Sequence, residues 1–343
     1  MTTELVERER VGTAPILEVQ GLTKHFPAGG SILPGGHQSM IHALDDVSFS
    51  LRPGRVTALV GESGSGKSTV ARLLARLYTP TSGRILFHGA DVSALRSHRD
   101  ELRYRAQVQM IFQDPFGSLN PVKRVEHDIA RPLQIHSVVP RRQVRERVME
   151  LLNTVGLVPP AEVARKYPHE LSGGQRQRVN IARALAVEPD VILADEPVSM
   201  LDVSIRMGIL NLMLDLKAKK NLAFLYITHD IASARYVADE ILVMYAGQVV
   251  EQGPTDAVLQ TPLHPYTRLL LSAVPNPERG FSNAQPMARG EAPTIIDPKP
   301  MCRFAPRCPV AVDASHCITP ELVEVEPDHW VRCHLYPQPT RST

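Results

Sequence analysis

Three short stretches carry the residue types that phosphate chemistry needs. The first, "GESGSGKST" at 61–69, fits the spacing G-x-x-x-x-G-K-[ST]. Gly61, Gly64 and Gly66 let backbone N–H groups approach phosphate oxygens, and Ser63 and Thr69 add hydroxyls. Lys67 can reach the β- and γ-phosphates, and Ser68 can ligate Mg²⁺. The second, "VILADEP" at 191–197, is an apolar run that ends in Asp195 and Glu196. An acid at the first position helps hold Mg²⁺ in such sites, and a carboxylate at the next can orient or deprotonate an attacking water. The third, "LSGGQ" at 171–175, feeds Ser172, Gly173, Gly174 and Gln175 into a helical pattern. A helix start offers free N–H groups and a positive dipole end to an anion. The chain therefore carries two phosphate-binding turns where one nucleotide needs one.

The surrounding pattern says which elements must hold these turns. "VTALV" (56–60) is a compact apolar run of the kind buried in a parallel sheet, and it enters the first turn directly. "KSTVARLLARLY" follows with helical spacing. "ILEVQGL" (16–22), "VSFSLRPG" (47–54), "AFLYIT" (223–228) and "ILVMY" (241–245) read as further strands, and "GRILFHG" (83–89) as an edge hairpin strand. From about 121 to 168 the pattern turns helical, with Val144, Val148, Leu151, Leu152 and Val155 on one face and Gly156 as C-cap. The alternation predicts an α/β core with a mostly parallel sheet and a helical insertion; the expected fold also carries an antiparallel β portion. Residues 1–14 read as a disordered tail, "PAGGSILPGGHQS" (27–39) as an exposed loop, 15–262 as the main domain and 263–343 as a small Pro-rich extension.

Bulk properties narrow the function classes. Of the 343 residues 43% are hydrophobic, enough for a sizeable core, and the formal net charge of +2 gives no case for nucleic acid as the main partner. No apolar run approaches the roughly 18 residues needed to span a bilayer. The N-terminal stretch lacks the apolar segment of a secretion signal, so a cytoplasmic protein is expected, with any membrane role supplied by partners. All four cysteines, Cys302, Cys308, Cys317 and Cys333, fall in the extension. Their spacings contain no C-x-x-C pair, so a common zinc ribbon fits poorly, while four thiolates can hold a four-iron cluster. Zinc and unligated thiols stay open as alternatives. His316, His329 and His334 lie nearby and read as surface or packing residues.

Taken together, the phosphate loop, "LSGGQ" and "ADEP" resemble the ATP-binding cassette (ABC) ATPases of membrane transporters over roughly residues 15 to 260. The resemblance implies a P-loop NTPase core of the ABC type working as a head-to-tail pair. Ser172, Gly173 and Gly174 of one subunit would cover the γ-phosphate held by the other. It also implies roles for Gln113 in "MIFQDP", as the glutamine beside the Mg²⁺ site, and for His229 in "LYITHD", as the switch histidine. "SMLD" (199–202) matches the loop that crosses between subunits, with Met200 where a smaller residue is commoner. Phe26 in "LTKHF" could stack on adenine. Catalysis would rest on Glu196, His229 and Lys67, with Ser68, Gln113 and Asp195 around Mg²⁺.

A narrower resemblance comes from "QDPFGSLNP" (113–121) and from "TPLHPYTRLLLSAVP" followed by "CRFAPRC". These look like the ATPases of oligopeptide and dipeptide importers with their C-terminal extension, a branch associated with a [4Fe–4S] cluster there. The expected cofactors are thus ATP, Mg²⁺ and this cluster, which would staple an extension with little core of its own. The expected partners are a second, different cassette, two transmembrane permeases and an extracytoplasmic substrate-binding protein. The expected location is the cytoplasmic face of the membrane. Alternatives are the same architecture moving oligosaccharide or nickel, and an ABC ATPase outside transport.

Overall fold

The computed structural model describes residues 14–29, 39–272, 293–311, 313 and 318–337. The expected N-terminal tail, most of the loop at 27–39, His316 and Cys317 lie outside the described residues. The strands are β1 (Leu17–Pro27), β2 (Met40–Leu51), β3 (Val56–Val60), β4 (Ser82–Phe87), β5 (Ala90–Asp91), β6 (Val108–Ile111), β7 (Val191–Asp195), β8 (Ala223–Thr228), β9 (Glu240–Tyr245), β10 (Gln248–Pro254), β11 (Val323–Glu326) and β12 (His329–Val331). They form two sheets.

The larger sheet runs β11-β12-β10-β9-β3-β8-β7-β6, and its stretch from β9 to β6 is parallel. Its central strands are buried along their whole length, because both faces are covered. Val56, Ala58 and Val60 of β3 join Phe224 and Tyr226 of β8 in one core layer, while Leu59, Leu225 and Ile227 point into the other. This alternation is the strand period of two sorted onto two apolar faces. The smaller sheet, β2-β1-β4-β5, is antiparallel and contributes Leu17, Val19, Leu22 and Leu44 to the second layer. Here one expectation needs correcting. The strand within 83–89 is not at an edge, since β1 pairs with one side of it and the two-residue β5 closes the other.

Between the sheet strands β6 and β7 the chain is helical, through Val125–Ile135, Val144–Thr154 and Pro160–Arg165. The apolar stripe Val144, Val148, Leu151 and Leu152 packs into the first core layer, and Gly156 follows with φ 73°, a left-handed position that ends the helix.

The extension does not stand apart. The β11–β12 hairpin lengthens the large sheet through antiparallel pairing of β12 with β10. Phe304 and Tyr266 sit in the first core layer beside Tyr245, with ring centroids 5.2 and 4.7 Å from it. Among the described residues the extension's own buried cluster is Leu263, Val331 and Cys333, and Phe304 and Tyr266 join the core of the main domain. A polar knot ties it further. The fully buried Glu251 of β10 accepts the N–H groups of Leu263 (2.8 Å) and His264 (2.9 Å) and a hydrogen bond from His329 Nε2 (2.8 Å). His329 is thus a packing residue with a specific anionic partner.

Candidate active site at the strand ends

Four loops leave the C-terminal ends of neighbouring parallel strands and carry the polar groups of one cleft. Such strand ends are where open α/β sheets bind ligands. Gly61 follows β3, Gln113 follows β6, Glu196 follows β7 and His229 follows β8. The cleft has a volume of about 760 Å³ and is lined by Glu62 through Thr69 together with Gln113, Glu196 and His229.

The loop from Gly61 to Ser68 has its shape because two positions admit no side chain. A Cβ on Gly61 would lie 2.2 Å from the Met244 carbonyl oxygen. Gly66 caps the helix Lys67–Leu74 with φ 102° and presses against Ala43, whose oxygen would sit 2.6 Å from a Cβ. The loop then closes around its own lysine. Lys67 Nζ donates to the carbonyls of Gly61 (2.7 Å) and Glu62 (2.8 Å) and is only 5% exposed. Burial pushes this ammonium below the ordinary lysine range, while the carboxylates of Glu196, Asp195 and Glu62 pull it back up. A cation held this way is desolvated in advance and aimed into the cleft.

Opposite it, Ser68 Oγ donates to Asp195 Oδ1 at 3.0 Å. Burial raises the Asp195 carboxyl above its usual range, the hydrogen bond from Ser68 opposes this, and Glu196 adds repulsion. A hydroxyl and a carboxylate, with the amide of Gln113 near, form a hard oxygen donor set of the type Mg²⁺ takes, so these residues fit that ion. Glu196 is held from two sides. Gln113 Nε2 donates to its Oε2 at 3.0 Å, and His229 Nδ1 lies 3.2 Å from its Oε1. Its backbone has φ 46°, an uncommon value for a residue with a side chain, and is fixed by its N–H donating to Ile227 (2.9 Å) and its carbonyl accepting from Ser199 Oγ (3.0 Å). The strained turn points the carboxylate back into the cleft rather than along the strand.

The second glycine-rich turn lies elsewhere, and its residues do not line this cleft. Ser172 caps the helix Gly173–Leu185 in a reciprocal box: its Oγ accepts from the Gln175 N–H (3.2 Å), and Gln175 Oε1 accepts from the Ser172 N–H (3.1 Å). Gly174 packs under Ile205, whose Cγ2 would be 2.5 Å from a Cβ, while Ser172 stays exposed. Three links join this helix to the segment after Gln113: Ser118 Oγ donates to Asn180 Oδ1 at 2.9 Å, the Arg183 guanidinium donates to the Ser118 carbonyl, and the Arg176 guanidinium lies 4.0 Å from the Phe116 ring centroid.

Phe26 is not among the residues lining the cleft. Its ring packs edge-on against Tyr78 at 5.4 Å with Lys24 Nζ over it at 4.9 Å. The corresponding wall is built by Ile41, His42 and, from the extension, Thr294 and Ile295. His42 belongs to a cluster the sequence did not flag. Its ring lies 3.7 Å from that of His25, and both imidazoles bond Asp45, which also takes Arg303. Hydrogen bonds from His25, Arg303 and His42 outweigh burial and hold the Asp45 carboxyl below its ordinary range.

Among the described residues, Cys302, Cys308 and Cys333 line one pocket of about 20 Å³. These three thiols act on one another electrostatically, while the fourth expected ligand, Cys317, lies outside the described residues. Burial raises the thiols of Cys302 and Cys333 above the ordinary range. The described residues thus show no complete [4Fe–4S] site.

Comparison with known proteins gives a consistent result. The ABC transporter family profile matches residues 44–199, and that of the oligopeptide/dipeptide transporter C-terminal region matches 250–317. The oligopeptide transport ATP-binding protein AppF of Bacillus subtilis is 45% identical over 94% of this chain and 97% of its own. A probable peptide ABC transporter ATP-binding protein, y4tS, of Sinorhizobium fredii is 44% identical over 93% and 90%. Among solved structures, a dimeric bacterial ABC transporter cassette, MJ0796, superposes with a TM-score of 0.61 at 29% identity, covering 70% of this chain and 98% of that one. The same cassette bound to ADP and Pi gives 0.60.

Proposed function

The chain belongs to the ATP-binding cassette family of transporter ATPases, and from that premise we propose that its strand-end cleft hydrolyses MgATP to drive import of oligopeptides or dipeptides through partner permeases. One observation carries the site assignment: Lys67, the Ser68–Asp195 pair and a doubly held Glu196 converge on one cleft. Ser68, Asp195 and Gln113 would hold Mg²⁺, which when bound spreads the charge of the β- and γ-phosphates. Lys67 exchanges its loop carbonyls for phosphate oxygens. Glu196 orients the attacking water and takes its proton, while Gln113 and His229 keep that carboxylate on line.

The exposed Ser172, with Met200 (55% exposed) and Val203 (75%) beyond it, supports a head-to-tail pair in which each signature turn closes on the partner's cleft. A second, different cassette is the reading we favour for that pair. Beside Gln113 a groove of about 690 Å³ is lined by Leu77, Met110 and Phe112 together with Arg105 and Arg183. Its exposed Leu77 and Phe112 suit a short amphipathic helix of a permease, so that movement of Gln113 is passed to the membrane subunit. Among the described residues no helix is long and apolar enough to cross a membrane, which agrees with a peripheral subunit on the cytoplasmic face. An extracytoplasmic binding protein would deliver the peptide. Residues 263–343 act as the importer-type extension of a cassette spanning 15–262. The extension's thiols are tested by iron, sulfide and zinc analysis of anaerobically purified chain; cysteines free of all three leave packing as their role.

The transport reading is tested by uptake of a labelled di- and oligopeptide mixture in cells lacking the gene. Uptake returns with the wild-type chain and not with Glu196→Gln. Unchanged peptide uptake in the deletion strain, with loss of nickel or oligosaccharide uptake instead, overturns the cargo and leaves the ATPase.

A further inference from the structure

The phosphate loop is gripped from outside by residues far along the chain. Glu62, the second residue of the loop, lines the cleft. Its backbone N–H donates to the Tyr266 hydroxyl at 3.0 Å. Its carboxylate takes a two-pronged pair from Arg307, Nη1 to Oε2 at 2.8 Å and Nη2 to Oε1 at 3.0 Å. Both partners are largely shielded, at 15% and 23% side-chain exposure, so this pair is not a loose surface contact. Arg307 is itself located by aromatic rings, with its guanidinium carbon 5.6 Å from the Tyr245 centroid and 6.0 Å from that of Phe304.

The electrostatics give the contact a consequence. The Glu62 charge reaches Lys67, so it also acts on anions bound by Lys67. A lone carboxylate at this position would repel phosphate. Paired in fork geometry with a guanidinium it is nearly neutral from a distance, and it fixes the loop main chain instead. Arg303 extends the grip, bonding the Ala246 carbonyl and Asp45, while the Gly247 N–H beside it donates to Ser65 at 3.0 Å.

Resting on the reading of the cleft as an ATP site, we propose that Arg307 and Tyr266 are positioning residues for nucleotide binding, acting through Glu62 to hold the phosphate loop and cancel the carboxylate beside the phosphates. The C-terminal extension thereby sets the ATP affinity of the cassette.

The test titrates the full-length chain with a fluorescent ATP analogue and Mg²⁺. Arg307→Met weakens binding roughly five- to tenfold, the scale of one uncompensated charge whose field is screened by the water of an open cleft. Adding Glu62→Gln to that variant restores affinity to within about twofold of wild type, because the offending charge is gone. Tyr266→Phe weakens binding about two- to threefold, the scale of one neutral hydrogen bond. In turnover the change falls on KM for ATP and leaves kcat nearly unchanged. Arg307→Lys, which keeps the charge without the fork, lies between wild type and Arg307→Met and serves if the latter does not fold. Wild-type affinity in Arg307→Met, or in Arg307→Lys where that variant stands in, overturns the proposal. So does a Glu62→Gln double variant no better than the single one, since a merely structural role would not be rescued by charge. Failure of the wild-type chain to bind the analogue overturns the ATP reading itself, and the proposal with it.

Discussion

The two glycine-rich turns look alike as strings and differ as physics. In the loop at Gly61–Ser68 the glycines are forced by main chain pressing on main chain, and charge is gathered: a buried ammonium, two strand-end carboxylates and a Glu62–Arg307 pair. The turn at Ser172–Gln175 carries no acidic residue in the first turn of its helix. Its side chains satisfy each other, and its buried glycine yields to a side-chain methyl of Ile205. One turn gathers the charge with which phosphate can be held. The other offers N–H groups and a dipole, which can complete a site but not make one.

The sharpest way to break this contrast is Lys67→Met. The loop loses the group around which it closes, and ATP turnover falls by about 10²–10³, the range for removing one preorganised electrostatic stabiliser. Next, Glu196→Gln lowers turnover by at least about 10² while the chain still binds MgATP, as measured by titration. Retained turnover would move the water-activating role away from Glu196.

The glycines then compare the turns directly by thermal melting. Gly61→Ala drives a methyl onto the Met244 carbonyl and costs about 3 kcal/mol, the upper range for overpacking. Gly174→Ala meets only the Ile205 side chain and gains helix propensity, for a net cost of about 1 kcal/mol. Equal losses would mean that the two turns are equally constrained. The smallest effect is Ser172→Ala, which opens the capping box for about 1 kcal/mol or less. A single chain bearing it binds ATP normally, whereas the assembled complex turns over more slowly.

How much was legible in the sequence follows from distance along the chain. The phosphate loop was readable because its parts lie within one turn. Asp195 and Glu196 could be singled out because they end an apolar run in a chain with a phosphate loop, whereas Gln113 and His229 came only through the family resemblance; parallel pairing brings all these strand ends together. The wall near Phe26 was not readable, since the ring's partner, Tyr78, is brought to it by the antiparallel sheet and leaves the cleft to His42 and Ile295. The strand at 82–87 reads as an edge because its outer partner, β5, is two residues long and carries no periodic signal. Arg307 lies 245 residues from Glu62, and nothing in the local pattern around either one announces the other.

The Glu251 knot has a consequence for the order in which the molecule can be made. Glu251 leaves the ribosome 78 residues before His329, its buried basic partner. At 5–20 residues per second this is a wait of roughly 4–16 s. Throughout it, seating β10 in place would bury a carboxylate short of one partner, at a cost of several kcal/mol. The nascent chain is thus discouraged from closing that end of its sheet before its final strand has been translated, and a ribosome stalled short of residue 329 holds a cassette with an open seam.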